Sequence, residues 1–311
     1  MRAVPWLIVI LGLLALGFFP SWAPRVVLVA LTSAILPVAK AWNAARGTAL
    51  RAALAWWALA LTLGMISQVV ALGEPWESGR PGAGHWTYLA TLATLAATTS
   101  VLNARRPGGS AWALLMGLLV LVFLLPWMEG AGLAHRAAGW ARLRLEAPWT
   151  LFYGLLVLAG VTNYLPTRYG LAAFWLTLAF VTEYLALTQS GWDLSWRGRA
   201  WSAVPLALAA APWSARVRSR QGKPRSPGLE RLWPWFRDHW GVVWALRVQE
   251  RFNRTAQTAA WPIRLAWHGL EPAPGLENDP FPAIPDAAEA TLLTLLRRFA
   301  DPGRLREAAG R

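Results

Sequence analysis

The chain has 311 residues, of which 56% are hydrophobic and 15% charged, a balance that excludes an ordinary soluble globular protein. Its formal charge is +14, and the segregation is uneven: residues 1–213 hold 14 bases and 6 acids, residues 214–311 hold 16 and 10. It has no cysteine, which excludes disulfides, thiolate metal sites and cysteine nucleophiles.

A hydrocarbon core about 30 Å thick calls for roughly 20 apolar residues per helix. In chain order the segments that meet or approach this are Val4–Phe19, Val26–Trp42, Ala52–Leu72, Trp86–Leu102, Ser110–Trp127, Trp149–Leu165, Gly170–Thr188 and Ala200–Trp213. The expected fold is all-α: a polytopic transmembrane helix bundle of about eight spans, seven if the short last segment with Pro205 and Pro212 is re-entrant or interfacial. Arg2 before an apolar run and the small-x-small triplet Ser21-Trp22-Ala23 resemble a signal peptide. Pro24 directly after that cut favours an uncleaved first helix instead.

Trp6, Trp22, Trp42, Trp76, Trp86, Trp112, Trp127, Trp149, Trp192, Trp201 and Trp213 fall at or near span ends. The indole, apolar in body with one N–H donor, prefers headgroup level. With eight spans the two sides tie at seven bases each. Arg216, Arg218, Arg220, Lys223 and Arg225, directly after the last apolar segment, break the tie. Both termini are therefore expected in the cytoplasm, and the location is a bacterial cytoplasmic (inner) membrane.

Residues 1–213 form the expected membrane domain and 214–228 a basic juxtamembrane linker rich in turn formers. Those five bases adjoin a span, so they point to anionic inner-leaflet lipids rather than nucleic acid. Residues 229–311 read as a small, mostly helical cytoplasmic region. In it, Phe236, Trp240, Trp244, Val248, Phe252, Ala256 and Ala260 recur at spacing four, which predicts a helix over 229–260 with one aromatic face. That face has three destinations: the tail's own core, the membrane surface, or another protein. Phe236, Trp240, Trp244 and Phe252 are the contact candidates. Residues 261–268 alternate apolar and polar but find no second strand to pair with, so extended chain is expected. A Pro-rich linker over 271–285 and a short helix over 286–300, capped by Asp286 with Glu289 three residues on, precede a frayed end.

Ionisable or polar groups inside spans are costly and are functional candidates by default. Glu183 lies about five residues, or roughly 7.5 Å, from the outer end of its helix, close enough to reach the interface or pair with Arg197 or Arg199. Gln68 and Asn163 sit near opposite ends of their spans. Thr87, Thr91, Thr94 and Thr98, spaced 4, 3 and 4 with Ala90, Ala93 and Ala97 between them, make one face suited to close packing or, alternatively, a polar conduit.

His85 and His135 are expected in outer loops, where two histidines on one face can serve as axial haem ligands. With the many tryptophans, this resembles in a general way the cytochrome c assembly proteins that present haem on their outer face. Ser190–Trp196 holds a Trp-Asp pair but not that family's longer Trp-rich pattern, and it lies outside the interval between the histidines. No cofactor is expected on the residues alone. Walker A, dinucleotide, zincin and nucleophile-elbow motifs are absent from the sequence, which argues against an enzyme. The expected function is a non-catalytic structural, scaffold or assembly subunit of a membrane complex, its tail meeting another membrane or peripheral protein. The alternatives are a transporter or channel-like protein with Glu183 in an ion or proton path and, third, a haem-handling membrane protein.

Overall fold

The computed structural model describes residues 4–75, 78, 80–103, 110–136, 143, 145–188, 193–219, 228–275 and 285–310. These are almost wholly helical: α1 (Val4–Phe18), α2 (Ala23–Ala44), α3 (Arg51–Gly73), α4 (Pro81–Leu102), α5 (Ser110–Arg136), α6 (Ala147–Thr162), α7 (Gly170–Thr188) and α8 (Leu194–Ser219) make a bundle. A smaller cap follows, built from α9 (Leu229–Thr258), β1 (Ile263–Leu265), β2 (Leu270–Pro272), α10 (Asp286–Leu296) and α11 (Pro302–Ala309). By length and composition, α2, α3 and α7 can cross a membrane, and shorter apolar stretches occupy Trp6–Phe18, Gly117–Gly130 and Pro148–Thr162.

The arrangement explains why α4 and α8 are less apolar than their neighbours. Helices α2, α3, α4, α6, α7 and α8 form a closed ring, each packed on the next and α8 back on α2. Helix α1 leans on α2 and α8, and α5 on α4. Almost every described residue of α4 is buried, as is the run Ala200–Ala211 of α8 apart from Ala203. A helix shielded from its surroundings needs small and hydroxylated residues for close approach rather than bulk hydrophobicity. Gly84 admits Trp201, and Gly160 admits Thr98: a Cβ at either glycine would come within 2.8 Å of its neighbour. Most of the large exposed apolar side chains sit instead on α1, α2, α3, α5, α6 and α7.

Several expected boundaries shift. The eighth segment is not a fourteen-residue stub; α8 runs 26 residues and carries Pro205 and Pro212 inside it. Burial hides its helical character from a hydropathy reading. The basic linker starts later than residue 214, because α8 continues through Arg216 and Arg218; Arg220, Lys223 and Arg225 lie outside the described residues. The extended segment does find a partner: β1 pairs antiparallel with β2, Ile263 opposite Pro272 and Leu265 opposite Leu270. Strands of three residues are too short to announce themselves by periodicity. Helix α10 stops at Leu296, and Asp286 is its first residue with Pro285 at the cap position, so the expected Asp286 cap does not form. The chain end is helical, as α11.

The cap shares its core with the bundle. Trp233, Phe236, Trp240, Trp244, Val248 and Phe252 pack with Leu292, Leu296 and Phe299 of the cap and with Ala45, Leu50, Ala53 and Val101 of the bundle. Burying aromatic side chains of this size stabilises by about 3 kcal/mol each. A stripe at constant spacing four drifts around a helix of 3.6 residues per turn. The drift is interrupted at Gly241, whose φ of 78° breaks α9 into two helical pieces.

Candidate functional site

Three connections on one side of the bundle hold the cap: those between α2 and α3, between α6 and α7, and the end of α4. Between α2 and α3, Gly47 takes φ 72° and its carbonyl accepts from Asp301 N at 2.8 Å, while Ala49 N donates to Phe299 O at 3.0 Å. At the end of α4, Val101 O accepts from Trp244 Nε1 at 3.2 Å. The tightest junction is Asn163, just past α6. Its backbone oxygen accepts from Val242 N at 2.9 Å and its Oδ1 from Val243 N at 3.0 Å, while Nδ2 donates to Trp240 O at 3.3 Å. The break at Gly241 exposes backbone groups that a regular helix would satisfy internally, and Asn163 satisfies them from outside. Asn163 thus joins bundle to cap.

Beneath the cap the six ring helices splay and enclose a vestibule of about 530 Å³, within the range of small-molecule and lipid pockets. Its walls are apolar, with Val38, Leu54, Trp57, Val161 and Leu176 among them, and α9 and α11 close over it through Trp235, His239 and Arg304. Lys40, Arg168, Arg216 and Arg304 line it, and among the described residues no Asp or Glu does. Behind it Asp238 pairs with Arg168 at 3.3 Å and with Arg237 at 2.9 Å, and Glu307 pairs with Arg304. Lys40, Ala41 and Ala44 are exposed on α2, so the vestibule opens there.

His239 belongs to this wall. Its Nδ1 lies 2.7 Å from Trp235 O and its Nε2 3.5 Å from the Tyr169 hydroxyl. Burial, reinforced by the Arg168 guanidinium, pushes the imidazole down to about 4.

The other end of the bundle is closed. Pro205 has no N–H, so the carbonyl of Trp201, four residues earlier, has no intrahelical partner. Gln68 Nε2 donates to that oxygen at 2.9 Å and Thr87 Oγ1 at 3.4 Å. Ser67 Oγ lies 2.7 Å from Thr87 Oγ1 and donates to Ala83 O at 2.9 Å. Glu74 caps the adjoining start of α4, its carboxylate accepting from Gly82 N at 2.8 Å and Ala83 N at 2.9 Å. Next to this seal, the Tyr153 hydroxyl donates to Glu183 Oε2 at 2.6 Å, and Tyr88 donates to Phe123 O at 2.7 Å. Tyr153 is held edge-on between Phe123 and Phe180.

These contacts revise several expectations. Glu183 neither reaches an interface nor pairs with Arg197 or Arg199; it is wholly buried and takes a neutral phenol. Gln68 is wholly buried, fastening α3 to α8. Thr91 and Thr94 return their hydroxyls to Tyr88 O and Ala90 O on their own helix, at 2.8 and 2.9 Å, which suits packing. Phe236, Trp240, Trp244 and Phe252 are consumed by the core they share with the bundle, so they present no exposed contact face. His85 is in α4, not a loop; it is buried, with Nδ1 2.8 Å from Pro81 O and its ring against Gly130. That packing leaves no room for a haem plane at His85. The side chains of His135 and Arg218 lie outside the described residues.

The vestibule was missed because its lining is gathered from six helices and the cap. One partial signal was available: Ala97, Gly160, Ala172, Ala173 and Ala211 are the small residues that leave the space. Among the described residues no cluster of His, Asp and Glu is placed to hold a metal ion. No family model, curated protein or solved structure matches the chain.

Proposed function

We propose that the chain is an eight-span integral protein of a bacterial cytoplasmic membrane, with both termini cytoplasmic, acting as a non-catalytic scaffold or assembly subunit. The observation that carries this reading is the distribution of exposed apolar side chains. Leu7, Leu14, Val29, Val69, Leu118, Leu155 and Val181 are all more than 45% exposed. Such residues recur on six helices around an α4 with no large exposed apolar residue and an α8 with only Trp196. An apolar surface of that extent is stable against lipid, not water. The cap side collects the basic end of α8 and the ends of α2, α4 and α6, as alternating spans with a cytoplasmic cap require.

The partner surface moves from the aromatic face to a groove between α9 and α10. Arg247, Arg251, Arg254 and Arg298 line it with Glu250, which is bonded to Arg254 at 2.8 Å. An acidic face of a membrane or peripheral protein complements that charge. The basic stretch from Arg216 to Arg225 adds attraction to anionic inner-leaflet lipid.

The absence of cysteine makes topology testable without background. Ser21→Cys and Ser78→Cys are expected to react with a membrane-impermeant maleimide on intact cells. Arg46→Cys and Arg254→Cys are expected to react only after permeabilisation. Labelling of all four from one side sinks the eight-span reading.

A second reading, an ion or proton path, is favoured by the placement of Glu183. It is a fully buried carboxyl, and none of the ion pairs among the described residues involves it. Proton flux into proteoliposomes that is lost in Glu183→Gln supports this path; flux equal in both proteins, or absent from both, removes it.

A further inference from the structure

We propose that the vestibule beneath the cap binds an acidic membrane lipid, its headgroup at the Lys40–Arg216 mouth and its chain along the apolar walls. Charge and shape support one occupant. Among the described residues the lining carries four cations and no acid, and Asp238 and Glu307 behind it are each already engaged with an arginine. An anion entering the mouth therefore meets a wall whose described charged side chains are all cationic, which attracts it and repels a cation. The hydroxyls of Tyr164 and Tyr169 add polar groups at the same level, where α6 gives way to α7.

Below that level the walls turn apolar. Val38, Leu54, Trp57 and Leu176 face a space that Ala97, Ala173 and Ala211 keep open. A small soluble anion would leave this apolar volume unfilled, and an acyl chain would fill it. The volume of about 530 Å³ accommodates a single-headgroup amphiphile inserted in part. The mouth lies on α2, where exposed Ala41 and Ala44 follow the apolar exposed Ile35 and Leu36 along the same helix. A lipid can therefore enter from the leaflet beside α2 without passing through the cap. The far end of the bundle, shut by Gln68, Thr87 and Trp201, gives the chain a floor rather than a through-path.

This inference rests on the membrane reading, and the experiment separates the two. The full-length protein is purified in neutral detergent and titrated with dioleoyl phosphatidylglycerol or dioleoyl phosphatidylcholine by native mass spectrometry. The expected result is retention of the phosphatidylglycerol about tenfold tighter than the phosphatidylcholine. The paired change Lys40→Gln with Arg216→Gln is expected to remove most of that preference. Ala41→Trp, on an exposed position of the mouth, is expected to block both lipids without disturbing the core. Millimolar inorganic phosphate is expected not to displace the lipid. Equal retention of the two lipids, unchanged binding in both variants, or displacement by phosphate overturns the proposal; the last assigns the site to a soluble anion. Recovery of the protein in buffer without detergent would instead defeat the membrane reading itself.

Discussion

The two ends of the bundle use polar residues in opposite ways. At the end away from the cap, Gln68, Ser67, Thr87, Tyr153 and Glu183 are all buried and bonded to one another or to backbone carbonyls. At the cap end, Lys40, Arg168, Arg216 and Arg304 surround a space, with Asp238 paired to Arg168 and Glu307 to Arg304 behind it. The difference follows from the path of α4 and α8. Near their starts Gly84 and Trp201 bring the two helices into contact, and a carbonyl freed by Pro205 gives the seal an acceptor. At Val101 and Ala211 both helices line a cavity, which is covered by a cap instead of filled by side chains. Polarity at a close helix contact serves as glue, and polarity around a gap serves as a receptor.

Three changes test that contrast, in descending size. Gly241→Val places a branched side chain at a φ of 78° and against Asn163, which already fills the break in α9. The combined strain and overlap cost about 3 kcal/mol or more. Hydrogen exchange is expected to rise throughout residues 229–310 while α3, α4 and α7 keep their protection. Equal loss at both ends would mean that cap and seal form one cooperative unit.

Acidification comes next, and His239 makes the cap respond to it. His239 in the folded chain titrates near 4, below the ordinary histidine value of 6.5. The unfolded or undocked state therefore binds the extra proton first, so docking is fully stable above about pH 6.5. Stability falls as the pH drops from 6.5 to 4 and levels off below that. The loss is at most about 3 kcal/mol, with Arg168 and Arg304 as the charges nearest the ring. A cap whose protection factors, corrected for the intrinsic pH dependence of exchange, stay flat over that window, or fall equally in His239→Gln, contradicts the assignment.

The smallest effect is expected at the sealed end. Tyr153→Phe keeps the ring packing with Phe123 and Phe180 but leaves a buried carboxyl oxygen without its donor. A cost of about 1–3 kcal/mol in thermal stability follows, with no change in the cap's exchange or in lipid retention. A change in lipid preference would show that the two ends communicate.

Much of the helical scaffold was legible as apolar runs, because side chains that face outward must be hydrophobic in unbroken stretches. Helix α8 was legible only in part: its run Ala200–Ala211 is enclosed by its neighbours and carries Pro205, whose freed carbonyl partner is satisfied by Gln68, while Arg197 and Arg199 lie near its start. Asn163 and Gln68 stood out as polar residues in apolar segments. Their partners, the Gly241 break and the Trp201 carbonyl, lie 78 and 133 positions away, so neither role could be inferred locally. The aromatic spacing in α9 was visible, but not that its face would meet the loop at Ala45–Leu50 and the end of α4.

The sequence by itself determined that the protein is helical, that most of its helices are apolar, and that a basic, aromatic segment follows them. These properties depend on composition and on spacing within a few turns. Only the tertiary structure decided which polar residues are spent as internal fastenings and which surround a cavity. That choice depends on whether two helices touch or diverge at a given level, and on which distant backbone group has been left without a partner.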